Sequence, residues 1–318
     1  MITQSNPTIT VVDIGASGGL PSMFCNRENI RAVLFEPDAR AVNTCHKTCA
    51  ETIYIDTLLS DRFGQTLFNL TTDQECSSCL YPNEHITNRF PNPARFHVNK
   101  SILVPCDTLD SQLATHSIIP DFIKIDVQGY EWQVLQGANV SLKRSLGVIL
   151  EVEFLPLYEK QVLFPEIHTL MRSYGYELYD LQRSHWKRQT LGSGFGFNGQ
   201  LAFANALYLK TPEQVLMGFG DDIRIQMSAA RLYSFFQYAD LINHFLLNSN
   251  NRQLMDYCHI LLDELSKDGI KNTPNSFFRR KLHGLLVRLE TGCKILRSKI
   301  HCHETFGCSD PRLGNNLF

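Results

Sequence analysis

The sequence predicts an α/β protein built on a mostly parallel sheet, and three observations predict it. The first two thirds of the chain alternate short β-branched runs with amphipathic stretches, the alternation of strands with crossover helices. Most of these runs are continuously apolar, as strands covered on both faces must be. One of them, Ile9 to Ile14, feeds a glycine-rich turn at a position where such sheets bind ligands.

Size and composition set the limits. A chain of 318 residues buries roughly 75% of its unfolded surface and needs no disulfides to fold. Hydrophobic residues at 43% and charged residues at 19% exclude a disordered chain. A formal net charge of −2 gives no global pull toward nucleic acid or an anionic membrane. No apolar run reaches the ~18–20 residues of a transmembrane span. Met1 to Thr10 is polar, without the pattern of a secretory signal. The ten cysteines are scattered, so reduced thiols in a cytoplasmic protein are expected.

The elements follow in order. Strands are expected at Ile9 to Ile14, Ala32 to Phe35, Thr52 to Leu59, Phe122 to Val127, Val148 to Phe154, Tyr176 to Leu181 and Leu201 to Leu209. Residues 64–105, rich in Asn, Pro, Thr and Ser, are too long for a plain crossover and read as an inserted hairpin or lid. After Lys210 the strand pattern stops. Thr211 and Pro212 form an N-cap with proline at the first helical position. Leu254, Cys258, Leu261 and Leu265 then recur at helical spacing. Leu282, Leu285, Leu289, Cys293, Leu296 and Ile300 make a second, coiled-coil-like seam. The expected organisation is a sheet domain over 1–210 and a helical extension over 211–318.

The glycine turn runs Asp13-Ile14-Gly15-Ala16-Ser17-Gly18-Gly19. Gly15 permits the sharp turn, and Gly18 and Gly19 let a ligand approach the backbone. A helix beginning after the turn would aim free N–H groups at that ligand. The second strand ends in Glu36-Pro37, with Glu36 lying 23 residues beyond Asp13. An acidic residue ~20 residues on is the one that reaches a ribose diol. Turn and carboxylate together indicate a nucleoside ligand. The nicotinamide pattern G-x-G-x-x-G has glycine where this chain has Ser17, which argues against a dehydrogenase.

Here the sequence resembles the FkbM family of S-adenosylmethionine-dependent methyltransferases. The resemblance rests on the Asp13 to Gly19 turn, Phe35-Glu36-Pro37, and Leu59-Ser60-Asp61 with Gly64. It rests further on Cys106-Asp107-Thr108-Leu109-Asp110, Ile123 to Glu131 and Val134 to Ala138, and it runs from about Ile9 to Lys210. Two positions depart from the family: Ser17 replaces the usual Asn, and Gln128 replaces the usual Glu and so removes a carboxylate. The resemblance implies a seven-stranded Rossmann-like class I methyltransferase sheet whose last strand is antiparallel. It implies S-adenosylmethionine as cofactor, with Asp13, Gly15, Ala16, Ser17 and Gly19 around the methionine part. Glu36 and Pro37 would then meet the ribose, Ser60 and Asp61 the adenine, and Asp126 the reacting end.

Lys124 and Asp126 are two apart on a strand and face one side, as do Glu151 and Glu153 on the next. A buried Lys124 needs a carboxylate, which Asp126, Glu151 or Glu153 can supply; a purely structural ion pair is an equal reading. Methyl transfer to a hydroxyl requires alignment and removal of a proton. The candidate bases are Asp126, Glu153 and His185, the last in a polar loop, Arg183 to Lys187, expected after the sixth strand.

The weaker signals read as structure. Cys76 and Cys79 form an isolated C-x-x-C without zinc-ribbon spacing. His301, Cys302, His303 and Cys308 gather soft donors near the end, but no metal is expected. Arg279-Arg280-Lys281 is a solvated helix start.

The expected activity is O-methylation of a hydroxyl on a sugar, glycan or secondary metabolite. The alternative is a catalytically silent cofactor-binding module that docks through its C-terminal helices onto a biosynthetic partner. Expected partners are a small-molecule or glycan acceptor and a second copy of the chain, with no nucleic acid. The dimer follows from apolar helical faces exceeding what a small layer can cover.

Overall fold

The computed structural model describes residues 6–17, 19–25, 27–37, 51–188 and 199–272. The Leu282 to Ile300 seam, the basic run at Arg279 and the His301 to Cys308 group lie outside the described residues, as does Gly18.

Seven strands form the main sheet: β1 (Ile9–Ile14), β2 (Ile30–Phe35), β3 (Glu51–Ile55), β7 (Phe122–Ile125), β8 (Gly147–Glu153), β9 (Glu177–Trp186) and β10 (Gln200–Leu209). Their order is β3-β2-β1-β7-β8-β10-β9. Every pairing is parallel except those of β10, which runs antiparallel to both neighbours. The chain leaves β1 in one direction to build β2 and β3, and returns on its other side as β7. That reversal opens a crevice at the carboxyl ends of β1 and β7, the ligand position in open α/β sheets.

Alternation along the strands divides the core into two layers. Ile9, Val11, Ala32, Leu34, Phe122, Ile149, Leu207 and Leu209 face one side. They are covered by four helices after Lys210: α6 (Pro212–Phe219), α7 (Ile223–Phe235), α8 (Ala239–Asn248) and α9 (Arg252–Asn272). Leu254, Cys258 and Leu261 of the predicted helical stripe are buried in this layer. The helices after Lys210 therefore share one core with the sheet. At ~1.5–3 kcal/mol for each large apolar side chain removed from water, this layer contributes substantially to stability. Thr211 makes the predicted cap as a full capping box: its side chain accepts from Gln214 N–H at 3.4 Å, and Gln214 Oε1 accepts from Thr211 N–H at 2.8 Å.

Val12, Ile14, Val33, Ile123, Ile125, Val148 and Leu150 face the other side. There they meet α2 (Leu109–Thr115), α3 (Glu131–Gln136), α4 (Asn139–Arg144) and α5 (Phe164–Ser173).

The segment over 64–105 forms most of a second, three-stranded sheet, whose strands β4 (Leu58–Leu59, ahead of the segment), β6 (Val98–Asp107) and β5 (Gly64–Thr71) lie in the order β4-β6-β5. β5 and β6 form the expected antiparallel hairpin. A 3-10 turn, Gln74–Cys76, and short α1 (Glu84–Thr87) lie between them.

Two expectations are corrected here. The run Thr52 to Leu59 is not one strand: a turn at Asp56-Thr57, with Thr57 N–H donating to Ile55 O at 3.0 Å, divides it into β3 and β4 in different sheets. Arg183 to Trp186 is not a loop either. It continues β9, paired with β10 as far as Trp186 opposite Gln200. β9 lies at the sheet edge and is only half-buried, so it tolerates the polar residues that made this segment read as a loop.

Candidate active site

The crevice deepens into a cavity of about 610 Å³ between the ends of β1, β2 and β7 and the inserted sheet. This lies within the range of small-molecule sites. Gly15, Ser17, Glu36, Pro37, Lys124 and Asp126 line it among the predicted residues. Thr57, Leu58 and Leu59 form one wall, and Phe68, Asp73, Gln74, Glu75, Ser77 and Cys79 of the insertion form another. Gln128 and Tyr130 complete it.

The turn after β1 is fixed by its backbone. Gly15 has φ +76° and donates its N–H to Phe35 O at 3.0 Å. A Cβ there would stand 1.9 Å from the Asp126 carbonyl oxygen, so only glycine lets this turn lie against the end of β7. Gly19, also at φ +76°, closes the turn onto Ala16 O at 2.9 Å.

Lys124 finds a partner that sequence reasoning missed. Its Nζ lies 3.0 Å from Asp13 Oδ1 and 3.8 Å from Asp126 Oδ2. Asp13 and Lys124 face each other in the β1–β7 register, a neighbourhood that only the strand order reveals. Burial raises the Asp13 carboxyl against the pull of Lys124. For Lys124, burial disfavours the ammonium, but the carboxylates of Asp13 and Asp126 outweigh it and raise the value. Asp13 Oδ2 is buried without a hydrogen-bond partner among the described residues.

The loop after β7 is held from both sides. Gln128 (φ +55°) and Gly129 (φ +90°) are consecutive left-handed residues. Glu131 Oε1 accepts from Val127 N–H at 2.9 Å and Gly129 N–H at 3.3 Å, stapling the loop to the start of α3. Ser78 of the insertion donates to Gln128 O at 2.7 Å. Gln128 Nε2 donates to Asp126 Oδ1 at 3.0 Å and to Glu151 Oε2 at 3.3 Å.

Behind this loop, carboxyl oxygens of Glu131, Glu151 and Glu153 lie within 4.8 Å of one another, all buried. Burial, then the neighbouring carboxylates, raises all three above the usual range, Glu131 to about 7 and the other two well above. Like charges this close cannot all ionise, and shared protons account for the group.

The remaining predicted residues stand off the cavity. Ala16 is fully buried in the core. Ser60 is buried, with its Oγ 2.9 Å from Tyr130 OH and 3.0 Å from Asp61 Oδ1. Asp61 pairs with the exposed Arg62 at 3.1 Å. Glu153 sits in the carboxylate group, with Oε2 unpartnered among the described residues. His185 is in β9 opposite Leu201 and does not line the cavity. Burial pushes the Cys76 and Cys79 thiols up to about 12, leaving little thiolate for redox or metal chemistry at neutral pH.

A switch-point crevice, a glycine turn, a carboxylate ending the second strand and an antiparallel β10 define the class: a Rossmann-like class I methyltransferase. The methyltransferase FkbM domain model matches residues 13–178, just over half of the chain, and the protein belongs to that family. No curated protein shows significant sequence similarity to it. Among similar solved structures is a TehB-like SAM-dependent methyltransferase from Corynebacterium glutamicum, with 11% identity and TM-score 0.31, covering 65% of this chain and 83% of that one. Another is the magnesium protoporphyrin IX methyltransferase from Synechocystis with bound SAM, with 9% identity and TM-score 0.32, covering 63% and 70%. A third is a putative RNA methyltransferase from Pyrococcus horikoshii, with 9% identity and TM-score 0.30, covering 64% and 76%.

The cofactor is S-adenosylmethionine, and the residues present fit it. The Gly15 turn leaves the end of β1 open to a ligand, and the Glu36 carboxylate on the cavity wall is of the kind that accepts from two ribose hydroxyls. No described helix is long and apolar enough to cross a membrane.

Proposed function

We propose that the protein methylates a hydroxyl oxygen on a sugar, glycan or other secondary metabolite. The observation that carries this reading is the cavity's lining. Residues of the cofactor turn and Glu36, residues of the insertion, and Asp126 all line this one cavity. When bound, S-adenosylmethionine supplies an electrophilic methyl group. The turn from Asp13 to Gly19 receives its methionine part, Glu36 the ribose hydroxyls, and Leu58 and Leu59 an adenine face. Asp126 takes the proton of the acceptor hydroxyl as general base, with its carboxylate oriented by Lys124 and Gln128.

The described lining holds four carboxylates, Glu36, Asp73, Glu75 and Asp126, against the single cation Lys124. This supports an uncharged or cationic acceptor and disfavours phosphorylated molecules and nucleic acid. Incubation with labelled S-adenosylmethionine and a panel of glycosides tests the reading: labelled O-methyl product supports it, and exclusive N- or C-methylation rejects it.

We also propose a cytoplasmic homodimer joined through the helices after Thr211. The five described cysteines are free thiols, which supports a reducing compartment. Met217, Leu247 and Ile260 place apolar side chains on the outer faces of α6, α8 and α9, which supports association. Light scattering of the intact chain beside Leu247→Glu decides it; a monomer in both would exclude the dimer.

A further inference from the structure

We propose that Gln128 is the positioning residue for Asp126, its carboxamide remaining a donor at every pH where the family's usual carboxylate titrates. The inference rests on the reading of Asp126 as the group that faces the acceptor.

Gln128 occupies a left-handed backbone position at φ +55°. Such a residue costs conformational energy when it is not glycine, and it persists where the surroundings hold it. Three side-chain contacts hold this one. Nε2 donates to Asp126 Oδ1 at 3.0 Å and to Glu151 Oε2 at 3.3 Å, and Oε1 accepts from Tyr158 OH at 3.4 Å. The main-chain oxygen accepts from Ser78 at 2.7 Å. The side chain thus bridges the cavity carboxylate to the buried carboxylate group behind it.

The charged and titratable groups around this bridge are predominantly acidic. From its own loop and β7 come Asp126 and Lys124, and from β1 comes Asp13, paired with Lys124. From α3 comes Glu131, from β8 come Glu151 and Glu153, and from the following segment comes Tyr158. The insertion adds Asp73, Glu75 and Cys79 across the cavity, and Tyr130 completes the rim. Lys124 is the single cation among them, and Asp13 already engages it. Asp126 and Glu151 both need a donor between them, and an amide N–H₂ supplies two. A carboxylate in that place could donate only while protonated. It would then titrate with Glu131, Glu151 and Glu153 as one coupled set. Gln128 therefore separates the orientation of Asp126 from the proton count of the buried group.

Two variants separate this role from a packing role. In Gln128→Glu the donor is present only at low pH. Turnover relative to the unaltered enzyme is expected to fall as pH rises through the new ionisation and to level off once the carboxyl is fully ionised. In Gln128→Ala the donor is absent, and turnover is expected to be about 10²-fold lower at every pH, within the loss typical of a misplaced catalytic group. S-adenosylmethionine affinity should change less than about threefold in Gln128→Ala, since a lost orientation of Asp126 acts on the transition state. Carbon NMR of protein labelled at aspartate carboxyls gives a readout that needs no acceptor. The Asp126 carboxyl resonance should move between the unaltered protein and Gln128→Ala at one fixed pH, since its Oδ1 loses the amide donor at 3.0 Å. An unchanged Asp126 resonance in Gln128→Ala, or a Gln128→Glu pH profile parallel to that of the unaltered enzyme, would overturn the proposal. A protein that binds cofactor and shows the shifted Asp126 resonance yet methylates no hydroxyl would reject the functional reading and leave the Gln128 bridge standing.

Discussion

The ammonium of Lys124 on β7 lies 3.0 Å from the carboxylate of Asp13 on β1, directly across the parallel register at the floor of the cavity. Asp13 is fully buried, so the pair is a local charge balance on which the turn above it depends.

Removing one member strands the other. Lys124→Met or Asp13→Ala is expected to destabilise the protein by about 3–5 kcal/mol, the cost of leaving a buried charge unpaired. The double variant Asp13→Leu with Lys124→Met should recover a large part of that loss. Denaturant unfolding checks it; single variants within about 0.5 kcal/mol of the unaltered protein would show the pair to be dispensable.

Glu36 is expected to act on binding. It closes β2 at the cavity wall, and a ribose diol donating to its carboxylate gives hydrogen bonds worth ~1.5–3 kcal/mol. Glu36→Ala should therefore weaken S-adenosylmethionine by about 10- to 100-fold by calorimetry, with an unchanged far-ultraviolet spectrum. Unchanged affinity would move the ribose elsewhere.

The buried carboxylates make stability depend on pH. Burial raises Glu131, Glu151 and Glu153 in the fold above the value of about 4.5 they have when unfolded. Above that value the unfolded chain releases protons that the folded chain keeps, so stability falls as pH rises. The fall begins near pH 4.5 and continues through about 7, where Glu131 ionises, and beyond for the other two. Glu153→Gln keeps the shape without the proton, and its melting temperature should fall less between pH 5 and 8. A steeper fall would contradict the shared-proton account.

Acceptor charge is expected to govern turnover. Asp73 and Glu75 face the cavity from the insertion, opposite Asp126. Of matched glycosides, the phosphate-bearing one should show kcat/KM at least about tenfold below the neutral one, since like-charge juxtaposition costs several kcal/mol. Glu75→Gln should narrow the gap. A preference for the phosphate would reverse the assignment.

Much of the fold was legible because its signals are local. Apolar runs marked the strands, Thr211-Pro212 marked the start of α6, and the block from Ile123 to Glu131 carried the family. What escaped was set by neighbours distant in sequence. Of the candidate partners of Lys124 on its own strand and the next, Asp126 lies 3.8 Å from the ammonium, while the nearer Asp13, 111 residues away, was not among them. The β9 extension was hidden because an edge strand can be polar, and β4 because a turn sends two leucines into a second sheet. The cavity residues Phe68, Asp73, Gln74, Glu75 and Ser77 sit in a segment with no motif, and the insertion's docking onto Gln128, Leu157 and Tyr158 brings them to the site. Gln128 itself was visible as a departure, but its three partners come from separate elements.

The most direct measurement is transfer of labelled methyl from S-adenosylmethionine to uncharged glycosides by the intact chain, beside Asp126→Asn. The unaltered protein should yield an O-methyl product identified by NMR. Asp126→Asn should bind cofactor with unchanged affinity and turn over about 10²–10⁴-fold more slowly, the contribution of a positioned base. Equal turnover by Asp126→Asn, or methyl found only on nitrogen or carbon, would contradict the account.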